Sequence, residues 1–135
     1  MSATPRAREL ATIAGRAAAD KIAESVVALD VSGQMPLTDI FLIVSADNER
    51  QVGSIVDAVE EALREIDVKP LRREGAREGR WVLLDFGDIV VHVQHEDEAA
   101  FYELERLWRD CPAIDLGVPV RPAQAATGSD TPDRG

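Results

Sequence analysis

Residues 81–93 constrain the fold of this chain more than any other segment. Their sequence, Trp-Val-Leu-Leu-Asp-Phe-Gly-Asp-Ile-Val-Val-His-Val, places two apolar, β-branched runs on either side of an acidic turn. Runs of this kind are typical of strands, and Gly87 suits the positive φ that a tight hairpin loop requires. We therefore predict a β-hairpin with arms at residues 81–84 and 89–93.

Apolar residues at helical spacing predict three helices, and shorter apolar runs predict three further strands. The predicted helices cover residues 4–23, 48–65 and 96–111. The predicted strands cover residues 25–31, 38–45 and 68–73. Asp47 is expected to cap the second helix, and Pro70 places the strand at 68–73 near a sheet edge because proline has no N–H to donate. The buried stripe of the second helix is predicted to contain Val52, Ile55, Val56, Val59, Leu63 and Ile66.

The predicted order is helix, strand, strand, helix, strand, strand, strand, helix. This order indicates an α/β or α+β fold in which a five-stranded mixed sheet packs against flanking helices. The strand–helix–strand unit over residues 38–73 allows a right-handed crossover between parallel strands. We assign residues 1–118 to one domain and expect residues 119–135, which lack apolar periodicity, to form a disordered tail.

Charge limits the partners that this chain is expected to bind. It carries 25 acidic and 15 basic residues, for a formal net charge of −10. An acidic surface repels phosphate backbones, so we expect no direct sequence-specific binding of nucleic acid. The same charge attracts basic proteins and speeds encounter with them, although the alternative is that it serves solubility alone.

No apolar run approaches the roughly 20 residues that span a bilayer, and no signal-peptide pattern opens the chain. We therefore expect no membrane association. Cys111 is the single cysteine, so it cannot form an internal disulfide. A lone cysteine fits a reducing compartment, and we expect a cytoplasmic protein.

Asp85 and Asp88 are the residues in the hairpin that most resemble catalytic groups. Two carboxylates can hold a divalent metal, but metal-dependent nucleotide transfer also needs phosphate-binding groups and further carboxylates in a fixed relation, which this sequence lacks. The triplet beginning at Asp85 matches a kinase motif, without the glycine-rich loop and catalytic loop that a kinase requires. His92 and His95 point to opposite faces of a strand, and His92 is expected to be partly buried in the sheet. We predict no catalytic residue, no metal site and no cofactor.

Trp81 stands at the start of the hairpin, directly after the charged segment Arg-Glu-Gly-Arg at residues 77–80. A large aromatic side chain beside an acidic turn is typical of an anchor in a protein–protein interface. The alternative is that Trp81 only covers the core.

Three blocks of sequence, in this order, resemble the ribosomal silencing factor family, also called the RsfS or iojap family. The first is Thr-Asp-Ile-Phe-Leu-Ile-Val-Ser at residues 38–45 with Arg-Gln-Val at 50–52. The second is the hairpin at residues 81–93, and the third is Phe-Tyr-Glu-Leu-Glu-Arg-Leu-Trp at 101–108. Together the resemblance covers residues 8–110.

The resemblance implies a fold related to nucleotidyltransferases but without their catalytic residues. It also implies a translational repressor rather than an enzyme. Such a protein binds the large ribosomal subunit through its ribosomal protein fourteen and blocks joining to the small subunit when nutrients are scarce. Family members also tend to self-associate, so a homodimer is expected.

For this function we predict a partner-binding site with Trp81 as its anchor. Leu83 and Phe86 are expected beside the anchor, although Leu83 has the alternative of pointing into the core. Asp85 and Asp88 are expected to pair with lysine or arginine on the partner. Two other functions stay open: a metal-dependent, nucleotidyltransferase-like enzyme that uses the two aspartates, and a small-molecule sensor that dimerises through its sheet.

Overall fold

The computed structural model describes residues 2–75, 80–95, 106 and 110–117. Within these residues, two helices pack on one face of a six-stranded sheet. The helices are α1 (Pro5–Asp20) and α2 (Glu49–Arg64). The strands are β1 (Ser25–Asp30), β2 (Ile40–Ala46), β3 (Arg72–Glu74), β4 (Trp81–Asp85), β5 (Ile89–His95) and β6 (Ala113–Ile114). The helix predicted at 96–111 falls almost entirely outside the described residues, and so does the tail predicted at 119–135.

The strands lie in the order β3-β4-β5-β2-β1-β6. The central neighbours β2 and β5 are parallel, and the other four neighbouring pairs are antiparallel. The mixed character of the sheet is therefore confirmed, but the predicted count of five strands is wrong. The sixth strand, β6, pairs with β1 through Ala28–Ile114 and Leu29–Ala113. Two residues carry no readable periodicity, which is why sequence patterns do not indicate this strand.

The predicted crossover connects the wrong strands. β3 is an edge strand as expected, yet it pairs antiparallel with β4. The parallel neighbour of β2 is β5, so α2, β3 and β4 all lie between the two parallel strands in sequence. β3 also starts later than predicted. The residues directly after α2 form the turn that ends the helix, so the strand can begin only beyond them. In this turn Asp67 lies in the left-handed region at φ 64°, and the Val68 N–H donates to the Leu63 carbonyl.

α1 begins at a proline in its first turn, where the missing N–H costs nothing. The Thr4 hydroxyl accepts a hydrogen bond from the Ala7 N–H at 3.1 Å and caps the helix. Fully buried alanines line its inner face and allow close approach to α2 and the sheet: Ala7, Ala11, Ala14 and Ala18. None of the described helical segments is long and apolar enough to span a membrane.

The cap of α2 is Asn48, and the prediction of Asp47 is wrong. Asn48 Oδ1 accepts from the Gln51 N–H at 2.8 Å, while Gln51 Oε1 accepts from the Asp47 N–H at 2.7 Å. This reciprocal pair resembles a capping box, which requires glutamine or glutamate three residues after the cap. Gln51 stands at that distance from Asn48, whereas Arg50 stands there from Asp47 and has no acceptor to offer.

The predicted stripe of α2 faces the sheet and is confirmed over the length of the helix. Its members Val52, Ile55, Val56, Val59 and Leu63 are buried. They pack in one core with helix-facing side chains of β2 and β5 such as Leu42, Val44, Val91 and Val93. Ile66 was also predicted in the stripe, but it follows the end of the helix and is 38% exposed.

Removing the correct cap should destabilise the fold. We expect Asn48→Ala to lower the free energy of unfolding by about 1 kcal/mol, because the Gln51 N–H loses its acceptor. Asp47→Ala is the matched control and should change stability little, since its backbone N–H still donates to Gln51. Urea unfolding of both variants measures the difference. Equal losses would show that the cap has been assigned to the wrong residue.

Candidate partner-binding surface

The hairpin divides its side chains between the two faces of the sheet. Val82 and Leu84 are buried in the core beneath the helices. Because side chains alternate along a strand, Trp81, Leu83 and Asp85 lie on the opposite face. Three of the five residues predicted for the site therefore share one face of β4. We call these three residues the β4 surface.

Trp81 is the most prominent member of the β4 surface, with 38% of the residue exposed. Its indole N–H donates a hydrogen bond to His92 Nδ1 at 3.3 Å. The two rings also stack, with centroids 6.1 Å apart and an angle of 27° between their planes. Trp81 thus covers a buried neighbour with one part of its ring and presents the rest to solvent.

His92 holds Trp81 in place and is more deeply buried than the sequence predicts, at 4% exposure. Phe41 packs against the same imidazole at a centroid distance of 4.9 Å. Burial lowers the pKa of His92 to about 4, so the ring is neutral at pH 7. A neutral ring that accepts at Nδ1 carries its proton on Nε2. Within the described parts of the chain, that Nε2 group is buried without a hydrogen-bond partner.

The turn between the arms is held by its own backbone and by one carboxylate. Gly87 has φ 89°, which confirms the prediction of a positive φ at this position. Asp85 Oδ1 accepts from the Gly87 N–H at 2.9 Å, and the Phe86 N–H donates to the Ile89 carbonyl at 2.9 Å. The Asp88 carbonyl accepts from the Asp39 N–H at 2.9 Å and so ties the turn to the start of β2.

The remaining predicted residues differ in their exposure. Leu83 is half-buried on the face away from the helices, so it does not enter the helix-side core. Phe86 is 7% exposed and packs in that core, so it supports the turn from beneath instead of adding to the exposed surface. Asp88 is exposed, and within the described part of the chain its carboxylate forms no hydrogen bond or ion pair.

Asp85 keeps only part of its carboxylate available. Its side chain is 26% exposed, and Oδ2 lies 3.8 Å from Arg72 Nη2 on the edge strand. Arg72 also lies 3.2 Å from Glu74, so its charge is shared between two acids. Exposed pairs of this kind contribute little to stability and exchange easily for a partner's charges.

Among residues 2–75, 80–95, 106 and 110–117, no group of three or more His, Cys, Asp or Glu side chains is placed to hold a metal ion. Asp85 uses one oxygen to hold the turn, as described above. His92 uses one nitrogen to hold Trp81.

Sequence reasoning missed the roles of His92 and Gln94 on this face. Trp81 lies directly opposite Gln94 in the hairpin, and Leu83 lies opposite His92. The hydrogen bond from Trp81 to His92 is thus a diagonal cross-strand contact, which long side chains can make. Gln94 is fully buried, and its amide atoms have no hydrogen-bond partner among the residues that the structure describes. The pairing register alone would have indicated the Trp81–His92 contact.

An exposed, oriented indole beside carboxylates is the kind of surface that proteins use to bind other proteins. The comparisons with known proteins agree with a regulatory function. The family model described as "Ribosomal silencing factor during starvation" matches residues 4–134. The chain therefore belongs to the ribosomal silencing factor family, and this membership gives it a ribosome-associated role in silencing translation.

Individual relatives support the same assignment. "Ribosomal silencing factor RsfS" of Halalkalibacterium halodurans is 44% identical over 109 residues, which cover 81% of this chain and 93% of the relative. A crystal structure of a protein from Bacillus halodurans is similar with a TM-score of 0.71 and 43% identity, covering 79% of this chain and 97% of that chain. A more distant relative, "Mitochondrial assembly of ribosomal large subunit protein 1" of Mus musculus, is 27% identical and covers 64% of this chain and 39% of the relative. These names describe regulatory and assembly factors, not enzymes.

Acid should destabilise the fold through His92. The pKa of an ordinary histidine is 6.5, and burial lowers that of His92 to about 4. Between these values the unfolded chain binds more protons than the folded one, so the free energy of unfolding falls as the pH falls. From pH 7 to pH 5 the loss attributable to His92 is about 2 kcal/mol.

Urea unfolding of the wild type and of His92→Gln at both pH values measures this contribution. The variant has no imidazole to protonate, so its stability should change less between pH 7 and pH 5. The same pH dependence in both proteins would contradict a neutral, buried His92.

Proposed function

We propose that this protein represses translation by binding the large ribosomal subunit through its ribosomal protein fourteen, which blocks joining to the small subunit. Family membership supports a ribosomal target, and the mouse relative is named for assembly of the large subunit. The observation that carries the proposal is the β4 surface with Trp81 held in a fixed orientation at its end. We further propose that the protein acts in the cytoplasm.

A fixed tryptophan suits the role of anchor for a physical reason. Residues that dominate binding energy are commonly large aromatic groups that lose little conformational freedom on binding. His92 already restricts the indole through a hydrogen bond and a ring contact. Docking therefore removes the exposed part of the ring from water without first having to order it. Leu83, half-buried beside it, extends the apolar contact.

Opposite net charges on this protein and its partner speed their encounter. The chain has a net charge of −10, and ribosomal proteins are typically basic. Complementary charge raises the rate of encounter more than it raises affinity. Of the two aspartates, Asp88 is the better placed to pair with a cation on the partner, because its carboxylate is exposed and makes no contact within the described residues. Asp85 must first release Arg72.

Blocking the small subunit needs no chemistry. A folded domain bound where the two subunits meet excludes the other subunit by steric overlap. The hairpin is suited to this task, because it is paired on both sides within the sheet and is rigidly joined to the helical layer. Self-association of the protein stays a prediction from the family resemblance.

Truncating the anchor should weaken binding to the large subunit. We expect Trp81→Ala to cost about 2–4 kcal/mol, roughly 30- to 1,000-fold in affinity. Co-sedimentation with purified large subunits measures the change. Ile22→Ala is the control, because Ile22 is an exposed apolar residue (63%) in the turn after α1 and belongs to neither the hairpin nor the turn after α2. Wild-type affinity in a folded Trp81→Ala variant would refute the role of the anchor.

The same two variants test the proposed consequence of binding. Separated subunits are mixed with each protein, and the formation of intact ribosomes is followed by light scattering. The wild type and Ile22→Ala should prevent joining, whereas Trp81→Ala should allow it. Free joining in the presence of saturating wild-type protein would overturn the proposed function.

A further inference from the structure

A basic cavity lies at the C-terminal end of α2, on the helix side of the sheet edge. Its volume is about 380 Å³, within the range of sites that bind small ligands or parts of larger ones. It is lined by Glu60, Arg64, Val68, Lys69, Pro70 and Arg73. Three of these side chains are cations and one is an anion, so the lining carries a net charge of +2 in a chain whose total is −10.

The turn after α2 forms part of this cavity. It also reduces the repulsion that the end of the helix would exert on an anion. The C-terminal carbonyls of a helix normally repel negative charge. Here the Leu63 carbonyl accepts from the Val68 N–H at 2.9 Å, and the Arg64 carbonyl accepts from the Asp67 N–H at 2.9 Å. The same turn reverses the chain, so that the residues after Asp67 return alongside the last turn of the helix.

Arg73 forms an ion pair with a partly buried acid at the cavity. Arg73 lies opposite Leu84 in the sheet, and its side chain therefore points to the helix side. Its Nη2 atom lies 2.7 Å from Glu60 Oε2, and the Glu60 side chain is only 17% exposed. The N–H is not directed at that oxygen, so the contact is an ion pair without an aligned hydrogen bond. The ion pair places the guanidinium at the cavity, and its N–H groups form no aligned hydrogen bond with Glu60 Oε2.

Arg64 and Lys69 are the uncompensated charges of the site. Both are exposed, and over the described ranges neither forms an ion pair or a hydrogen bond with another side chain. Glu65 and Asp67 belong to the same turn but do not line the cavity. Guanidinium and ammonium groups converging on one space are the groups with which proteins bind phosphate.

We propose that this cavity binds a phosphate group of an RNA backbone, namely the ribosomal RNA beside the docked protein. This inference rests on the proposed function. Edge strand β3 connects the two sites, because Arg72 lies beside Asp85 of the β4 surface while Arg73 lines the cavity on the other face. A partner that covers this edge with both basic protein and RNA meets an acidic surface on one side and a basic cavity on the other. Contact through phosphate alone carries no sequence specificity.

The salt dependence of large-subunit binding tests this contact. Each phosphate contact adds about 0.7–0.9 to the slope of log affinity against log salt concentration. We expect Arg64→Gln/Lys69→Gln to flatten this slope by about 1 relative to the wild type. Arg16→Gln/Lys21→Gln removes the same charge from exposed positions at the end of α1 and should keep the wild-type slope. Equal slopes for all three proteins would overturn the inference.

A second measurement needs no ribosomes. Inorganic pyrophosphate is titrated into the full-length chain, and backbone amide shifts are followed by NMR. Shifts confined to residues 64–73, and lost in Arg64→Gln/Lys69→Gln, support a phosphate site in the cavity. Shifts that are absent, or spread over all basic residues, overturn it.

The two measurements separate the possible failures. If Trp81→Ala abolishes subunit binding but the salt slope does not depend on the cavity, the proposed function stands and the RNA contact is wrong. Pyrophosphate binding together with an unchanged slope would assign the cavity to a free phosphorylated ligand, which also overturns the RNA assignment. If the wild type does not bind large subunits, both proposals fail, and pyrophosphate still shows whether the cavity takes phosphate.

Discussion

The parallel pairing of β2 with β5 is the constraint on which the rest of the structure depends. Seven residue pairs join the strands, from Ile40–Ile89 to Ala46–His95. Because these neighbours are parallel, the chain must cross from one end of the sheet to the other between them. It does so through α2 and then adds β3 and β4 before returning as β5. The β4 surface and the basic cavity are therefore both built from the segment that this single pairing encloses.

The two faces of the sheet differ in the side chains that they bury. Beneath the helices the core is aliphatic, with small alanines on α1 and branched side chains on α2. On the opposite face Trp81 and Phe41 each pack against His92, and the polar side chain of Gln94 is buried nearby. Phe41 also belongs to a second, smaller apolar cluster with Leu29, Val31, Ile43 and Cys111. Among the residues that the structure describes, His92 Nε2 and the Gln94 amide have no hydrogen-bond partner. Such buried groups cost free energy, so the region around them is less favourable as a core than the side beneath the helices. Buried polar residues on this face agree with a role in orienting the exposed indole of Trp81.

Much of this arrangement follows from local patterns, because it is determined by residues close together in sequence. The hairpin, the positive φ at Gly87 and the buried stripe of α2 are of this kind. Some errors arise where residues distant in sequence decide the outcome: β3 does not pair with β2, and β6 exists only because β1 is there to pair with it. The misplaced cap of α2 is a different case, because Asn48 and Gln51 are three residues apart and this local spacing does indicate the correct cap. The contact between Trp81 and His92 depends on the pairing register of the hairpin. The apolar pattern alone does not fix that register, because it also depends on the type of turn.

The short strand β3 has a consequence for how the molecule behaves in a crowded cell. A sheet edge offers unpaired backbone groups that invite another chain to add a strand. Here that edge is three residues long, and all three are charged and exposed: Arg72, Arg73 and Glu74. Trp81 lies on the neighbouring strand, so the exposed indole and the edge are close together. The charges on β3 therefore disfavour the addition of another chain's strand beside the indole.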